Sequence, residues 1–294
     1  MAREASRTPV TDALEDMRAS SARIASSARA SSTRCRAWAG ATNAPVSATR
    51  RAAEAFVERW EALGATPSDG LGDDLASMRP LDDAPSKLCV ENAVYESDVF
   101  RKMHVELAWG DGGFEVLHVV MYPWAERAAP VYAADAVGFG GRLSLCVVDC
   151  APVTSDLSLP ETYEDVGGRM LEETLKLGVA RRELPEWGRA ILGPLCLCVG
   201  PRADETASRD VDAFFDYAYK LHDAHCELAK APELVLESGS TRALDAQVRF
   251  CDRQLENEKT RRALERAFGV DVADRYMREV LFDVTASTPR SRPL

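Results

Sequence analysis

Two stretches of alternating sequence, 100–109 (FRKMHVELAW) and 114–122 (FEVLHVVMY), are joined across Asp111-Gly112-Gly113. Period-two alternation is what a strand needs to present one face to each side of a sheet, and a short Gly-containing joint specifies an antiparallel hairpin. A hairpin this apolar needs further strands and a covering layer. Setting Gly110 opposite Phe114 fixes the register, and counting back along both strands places Glu106 opposite His118. His104, Glu106 and Ala108 then share one face, with Met103, Val105, Leu107 and Trp109 on the other. An acid and an imidazole that face each other on an apolar sheet can share a proton, because the carboxylate favours the imidazolium and burial strengthens the coupling. The same pair also suits a buried ion pair with no chemistry, and the pattern leaves both readings open.

The remaining periodicity extends this hairpin into a fold. A helix is expected over 49–63, where Ala52, Ala53, Phe56, Val57 and Trp60 recur at helical spacing before Gly64. After a Pro-, Gly- and Asp-rich connection over 65–85, further strands are expected at 89–95, 143–150 and 190–199. Helices are expected over 208–229, 241–268 and 270–282. Strands first and helices after, with hairpin-length gaps, indicate an α/β chain with one mostly antiparallel sheet covered by helices. Asp135 interrupts the apolar run 131–137, either as a turn acceptor or as a third ionisable group on the same sheet face. Gly138-Phe139-Gly140-Gly141 lies between strands, so neither a dinucleotide nor an ATP fingerprint is present.

Composition narrows the function. The net charge of −11 argues against a nucleic-acid partner, and no apolar run reaches the roughly 18 residues of a membrane helix. The first fifty residues carry eight Arg and four acids, a net of +4, which leaves −15 for the rest. Within 18–50 there are six Arg, seven Ser, ten Ala and no acid, the composition of an organellar transit peptide; a basic tail without an address is the alternative. The division expected is therefore 1–48 as leader or tail and 49–294 as the folded domain. Eight cysteines in 294 residues, several in apolar strand-like runs, fit reduced thiols. His104-Val-Glu106 with the later Pro194-Leu-Cys196-Leu-Cys198 approaches a zinc deaminase signature, but two cysteines one residue apart on a strand lack the required helical spacing, and no metal site is expected.

Several segments, taken in order, resemble the ferredoxin-dependent bilin reductase family: ENAVYESDVFRKMHVELAWG (91–110), FEVLHVVMYP (114–123), PVYAADAVGFGGRLSLCVVDCAPV (130–153), DLSLPETY (156–163), RRELPEWG (181–188) and QLENEKTRRALERAFGVDVADRYMREVLFDV (254–284). The resemblance implies a three-layer α/β/α sandwich with a central antiparallel sheet and a tetrapyrrole site between the sheet and the C-terminal helices. It implies no bound metal, flavin or nicotinamide, with electrons arriving singly from reduced ferredoxin while the protein supplies protons. The substrate implied is biliverdin IXα, and the phycocyanobilin-forming branch is the most similar, with another phytobilin product or a non-catalytic bilin carrier as alternatives.

By the same resemblance the catalytic residues are Glu106, His118 and Asp135. Asp135 would protonate the bilin, His118 would relay protons, and Glu106 would serve the first reduction, at the D-ring vinyl group. His104 supports the same face. Where the family has Phe-Gly before the catalytic Asp, this chain has Tyr132-Ala133-Ala134-Asp135, so the loop expected to hold Asp135 could sit differently. Arg182 matches a propionate-binding Arg. Asp216 matches a helix Asp of the bilin site, although a helical wheel places it on the solvated face. Lys259, Arg261 and Arg262, with Arg101 and Lys102, are candidate contacts for an acidic ferredoxin, and Glu256 and Glu258 are near enough to neutralise some of them. A monomer in the plastid stroma completes the expectation.

Overall fold

The structure, a computed structural model, describes residues 46–68 and 70–284. The hairpin at 111–113 forms in the expected register. Strands β4 (Phe100–Gly110) and β5 (Phe114–Pro123) pair antiparallel with Gly110 opposite Phe114 and Glu106 opposite His118. A single 3₁₀ turn over Asp111–Gly113 joins them, and Gly112 and Gly113 both have positive φ, at 67° and 69°. A Cβ at Gly113 would lie 3.0 Å from the Gly140 backbone, so the tips of two neighbouring hairpins approach this closely because position 113 is glycine.

Around this pair the sheet is completed by β1 (Thr66–Pro67), β2 (Ser77–Met78), β3 (Cys89–Glu96), β6 (Val131–Phe139), β7 (Arg142–Ala151) and β8 (Leu197–Val199). All described ladders are antiparallel, in the order β1-β3-β4-β5-β6-β7-β8, with β2 also on β3. Successive hairpins thus lie side by side, as the short gaps require.

The two faces bury different helices. Helix α1 (Ala48–Ala62) starts at Ser47, whose hydroxyl accepts from Arg50 N, and buries Phe56, Val57 and Trp60. Together with α3 (Glu161–Lys176) and α5 (Ala207–Leu228) it covers the face of Met103, Val105, Leu107 and Leu117. The opposite face of Val90, Ala108, Val120 and Ala133 is covered by α6 (Arg242–Gln254), α7 (Glu258–Phe268), α8 (Val270–Tyr276) and a π-helical turn over Met277–Leu281. Two four-residue helices, α2 (Asp73–Ala76) and α4 (Glu186–Arg189), lie in connections. The result is the α/β/α sandwich with a central antiparallel sheet. No helix among the described residues is long and apolar enough to cross a membrane, and all seven described cysteines are free thiols.

Four local expectations are corrected. The helix expected over 241–268 breaks at Leu255–Asn257, where Asn257 caps a new helix by accepting from Lys259 N. The strand expected over 190–199 exists only as Leu197–Val199, its first half being turn. Helix α3 was not expected because Gly167-Gly168 interrupts its pattern. Gly167 is there for packing: a Cβ would stand 2.5 Å from Leu195. Asp135 is held by a regular strand and not by a loop, so Ala133 and Ala134 take extended conformations open to any residue. The leader reading lies outside the described residues apart from 46–48.

Candidate functional site

The sheet gathers the site by register. Asn92 on β3 pairs with Glu106 on β4, Glu106 with His118 on β5, His118 with Asp135 on β6, Asp135 with Val147 on β7, and Val147 with Cys198 on β8. One transverse row on the α6–α8 face therefore holds Asn92, Glu106, His118, Asp135, Val147 and Cys198. The next row carries Val94, His104, Val120, Ala133 and Asp149. Partners directly across antiparallel strands are the closest side-chain neighbours a sheet provides, which is why residues over forty positions apart converge here.

His118 Nδ1 lies 2.7 Å from Asp135 Oδ1. Burial works against a charge on His118, but the Asp135 carboxylate and its hydrogen bond overcome this and hold the imidazole above its usual range. His104 is fully buried, and burial, with the charges of Lys102 and His118, keeps it neutral far below that range. The two rings are 6.0 Å apart, and His104 Nδ1 and His118 Nε2 are both buried without a hydrogen-bond partner among the described residues. Glu106 is raised by burial, against the pull of His118. The row is closed at Glu106 and opens at Asp135, whose side chain is 34% exposed against 9% for His118. A buried acid, a charged imidazole and a part-exposed carboxylate in series can deliver protons to a flat ligand laid on this face.

Four polar residues that sequence reasoning missed complete the arrangement. Tyr276, from α8, hydrogen-bonds both Glu106 Oε2 and Asn92 Oδ1, the latter at 2.7 Å. Asn92 Oδ1 also lies 2.8 Å from His104 Nε2. Asp283 holds Arg101 through two bonds of 2.8 and 2.9 Å and Lys102 at 3.3 Å, while Lys102 Nζ donates to Val280 O at 2.5 Å. These bonds tie β4 to the segment that places Phe282 edge-on to His118. Asp149 accepts from Gly193 N at 2.7 Å, and burial raises its carboxyl to about 7. The missed signal was parity: Asn92 on β3 and Asp149 on β7 are polar residues at inward-facing positions of apolar strands.

The other expected residues divide. Arg182 is exposed at the β8 end of the sheet, its backbone N–H bonded to Cys198 O, and with Arg142, Arg181 and Arg202 it lines a cleft of about 450 Å³. Asp216 is not brought to the site. It stands exposed on α5, across the sheet, ion-paired with Lys220, because Phe214, Phe215 and Tyr217 take the buried positions. Arg101 and Lys102 are committed to Asp283 and offer no docking surface. Arg261 pairs with Asp274 and Arg262 with Glu258, while Lys259 is exposed with no ion pair among the described residues. No cluster of three or more His, Cys, Asp or Glu side chains among the described residues is placed to hold a metal ion.

The sequence profile of the family described as "Ferredoxin-dependent bilin reductase" matches residues 53–283. The phycocyanobilin:ferredoxin oxidoreductases of Synechococcus sp. and Synechococcus elongatus are each 35% identical over 232 residues, 79% of this chain and 89% of theirs. That of Trichodesmium erythraeum is 35% identical over 197 residues, 67% of this chain and 77% of its own. In fold the chain is similar to phytochromobilin synthase from tomato in complex with biliverdin, with a TM-score of 0.61 at 16% identity, over 77% of this chain and 79% of that one.

Proposed function

We propose that this chain, which belongs to the ferredoxin-dependent bilin reductase family, reduces biliverdin IXα to phycocyanobilin. It is an oxidoreductase of that family. The product and the residue roles are our reading. The observation that carries it is the single row in which Glu106, His118 and Asp135 stand side by side on one sheet face. A reduction by four electrons and four protons needs proton donors near the ligand and a donor of single electrons outside it. The acceptor here is the bilin itself, passing through radical states, and no bound metal, flavin or nicotinamide is required.

In this reading the bilin lies on the half-open face beside Asp135. Asp135 protonates the ring system, His118 resupplies Asp135 through their 2.7 Å bond, and Glu106 serves the D-ring vinyl reduction, with His104 behind them. Arg182, at the rim, is suited to a propionate, since a guanidinium binds a carboxylate through two bonds. Reduced ferredoxin would dock by the exposed Lys259 and Arg262 against the otherwise acidic surface. The basic segment 1–48 would direct a monomeric enzyme to the plastid stroma.

The test is an anaerobic assay of the full chain with biliverdin, reduced ferredoxin and its reductase, with products separated against bilin standards. Phycocyanobilin is the expected product. A different phytobilin would retain the reductase and replace the product, whereas tight binding without reduction would make the protein a carrier.

A further inference from the structure

The hydrogen bonds around Tyr276 allow only one distribution of protons. Asn92 Nδ2 donates to Leu75 O at 2.7 Å, which fixes the amide so that Oδ1, an acceptor only, faces the site. Oδ1 receives His104 Nε2–H at 2.8 Å and is 2.7 Å from Tyr276 Oη. Tyr276 Oη is also in hydrogen-bond contact with Glu106 Oε2. A phenol has one proton and two acceptors here. If that proton went to a Glu106 carboxylate, the phenol and amide oxygens would stand 2.7 Å apart, buried, with no hydrogen between them. If it goes to Asn92, every contact is satisfied provided that Glu106 itself donates.

We infer that Glu106 is a carboxylic acid in the resting protein, giving its proton to Tyr276 Oη, with Tyr276 as the positioning residue and Asn92 fixing the direction of the chain. An amide oxygen cannot pass a proton onward, so the chain orients Glu106 and does not refill it.

The surrounding charges agree. Lys102 on β4 faces Asp283 from the C-terminal segment, His118 on β5 faces Asp135 on β6, and His104 on β4 is neutral. His118, the cation whose charge acts on Glu106, therefore already has its own carboxylate in Asp135 and is not left to hold a second anion in a buried position. The inference rests on the reading above only for the use made of the proton: Glu106 arrives at the reaction loaded.

The test is infrared difference spectroscopy of the ligand-free full chain, wild type minus Glu106→Gln, titrated through neutral pH; the subtraction removes Asp149. A carboxylic-acid C=O band belonging to Glu106 at pH 7 is expected. In Tyr276→Phe the acid loses the acceptor that stabilises it, so the band should titrate roughly half to one pH unit lower. Absence of the band at pH 7 overturns the inference, as does a titration unmoved or moved upward in Tyr276→Phe, which would mean the phenol donates to a carboxylate. Should Glu106→Gln fail to fold, carbonyl-13C glutamate labelling of wild type and Tyr276→Phe reads the same band. No bilin is needed, so failure of the turnover assay with these results intact would count against the reductase reading alone.

Discussion

His118 and Asp135 are cross-strand partners on β5 and β6 and close a 2.7 Å bond between Nδ1 and Oδ1. The bond sets the charge of the imidazole as well as its orientation, because burial alone would make His118 neutral.

Asp135→Asn should therefore move His118 from above its usual range to below it, measurable by NMR of the imbedded imidazole carbons across pH. The raised value also contributes stability that is fully present below about 6.5 and is lost as pH rises through the folded-state value. That contribution should vanish in the variant. Turnover should fall about 10²-fold or more, the usual contribution of a positioned proton donor, while biliverdin still binds.

Asp283→Asn removes the carboxylate shared by Arg101 and Lys102 and should cost about 3 kcal/mol in urea unfolding, since two mostly buried cations lose their partner. Although burial opposes it, Lys102 and Arg101 hold Asp283 below the ordinary carboxylate range. Its contribution is present above the unfolded value near 3.8 and is lost as pH falls below it. Acid unfolding of the variant should be correspondingly flatter there.

Asp149 has the opposite sign. Burial holds it neutral up to about 7, whereas in the unfolded chain it ionises near 3.8. Between these values the unfolded state binds fewer protons, so stability falls as pH rises through the window. Asp149→Asn keeps an acceptor for Gly193 N–H and should narrow the loss between pH 5 and pH 8 by an amount on the order of 3 kcal/mol, read from urea midpoints. An unchanged loss would mean that Asp149 is ionised in the folded protein.

Lys259→Glu combined with Arg262→Glu should lower ferredoxin-driven turnover severalfold at low ionic strength and leave biliverdin affinity unchanged, as expected for exposed charges that act on association. Equal turnover at low salt would move the docking surface elsewhere.

The hairpin at 111–113 was legible because turn and alternation together determine register, and register determines that Glu106 meets His118. Asp135 could not be placed from pattern alone, since a carboxylate in an apolar run reads equally as a turn. The contacts of Tyr276 and Asp283 were invisible for a different reason. They arrive from the C-terminal helices, and neither helix periodicity nor strand parity specifies how a covering layer is set down on a sheet. Asp216 shows the converse, because its helical wheel already placed it in solvent and the structure agrees with the wheel.

The row from Asn92 to Cys198 crosses five ladders, and each residue reaches it only if its own strand pairs in register. A slip of one residue in β5 or in β6 would send His118 or Asp135, respectively, to the face covered by α1, α3 and α5 and leave the other five in place. Mispairing thus removes a residue from the row outright instead of stretching the row, so a misregistered molecule lacks part of the site altogether.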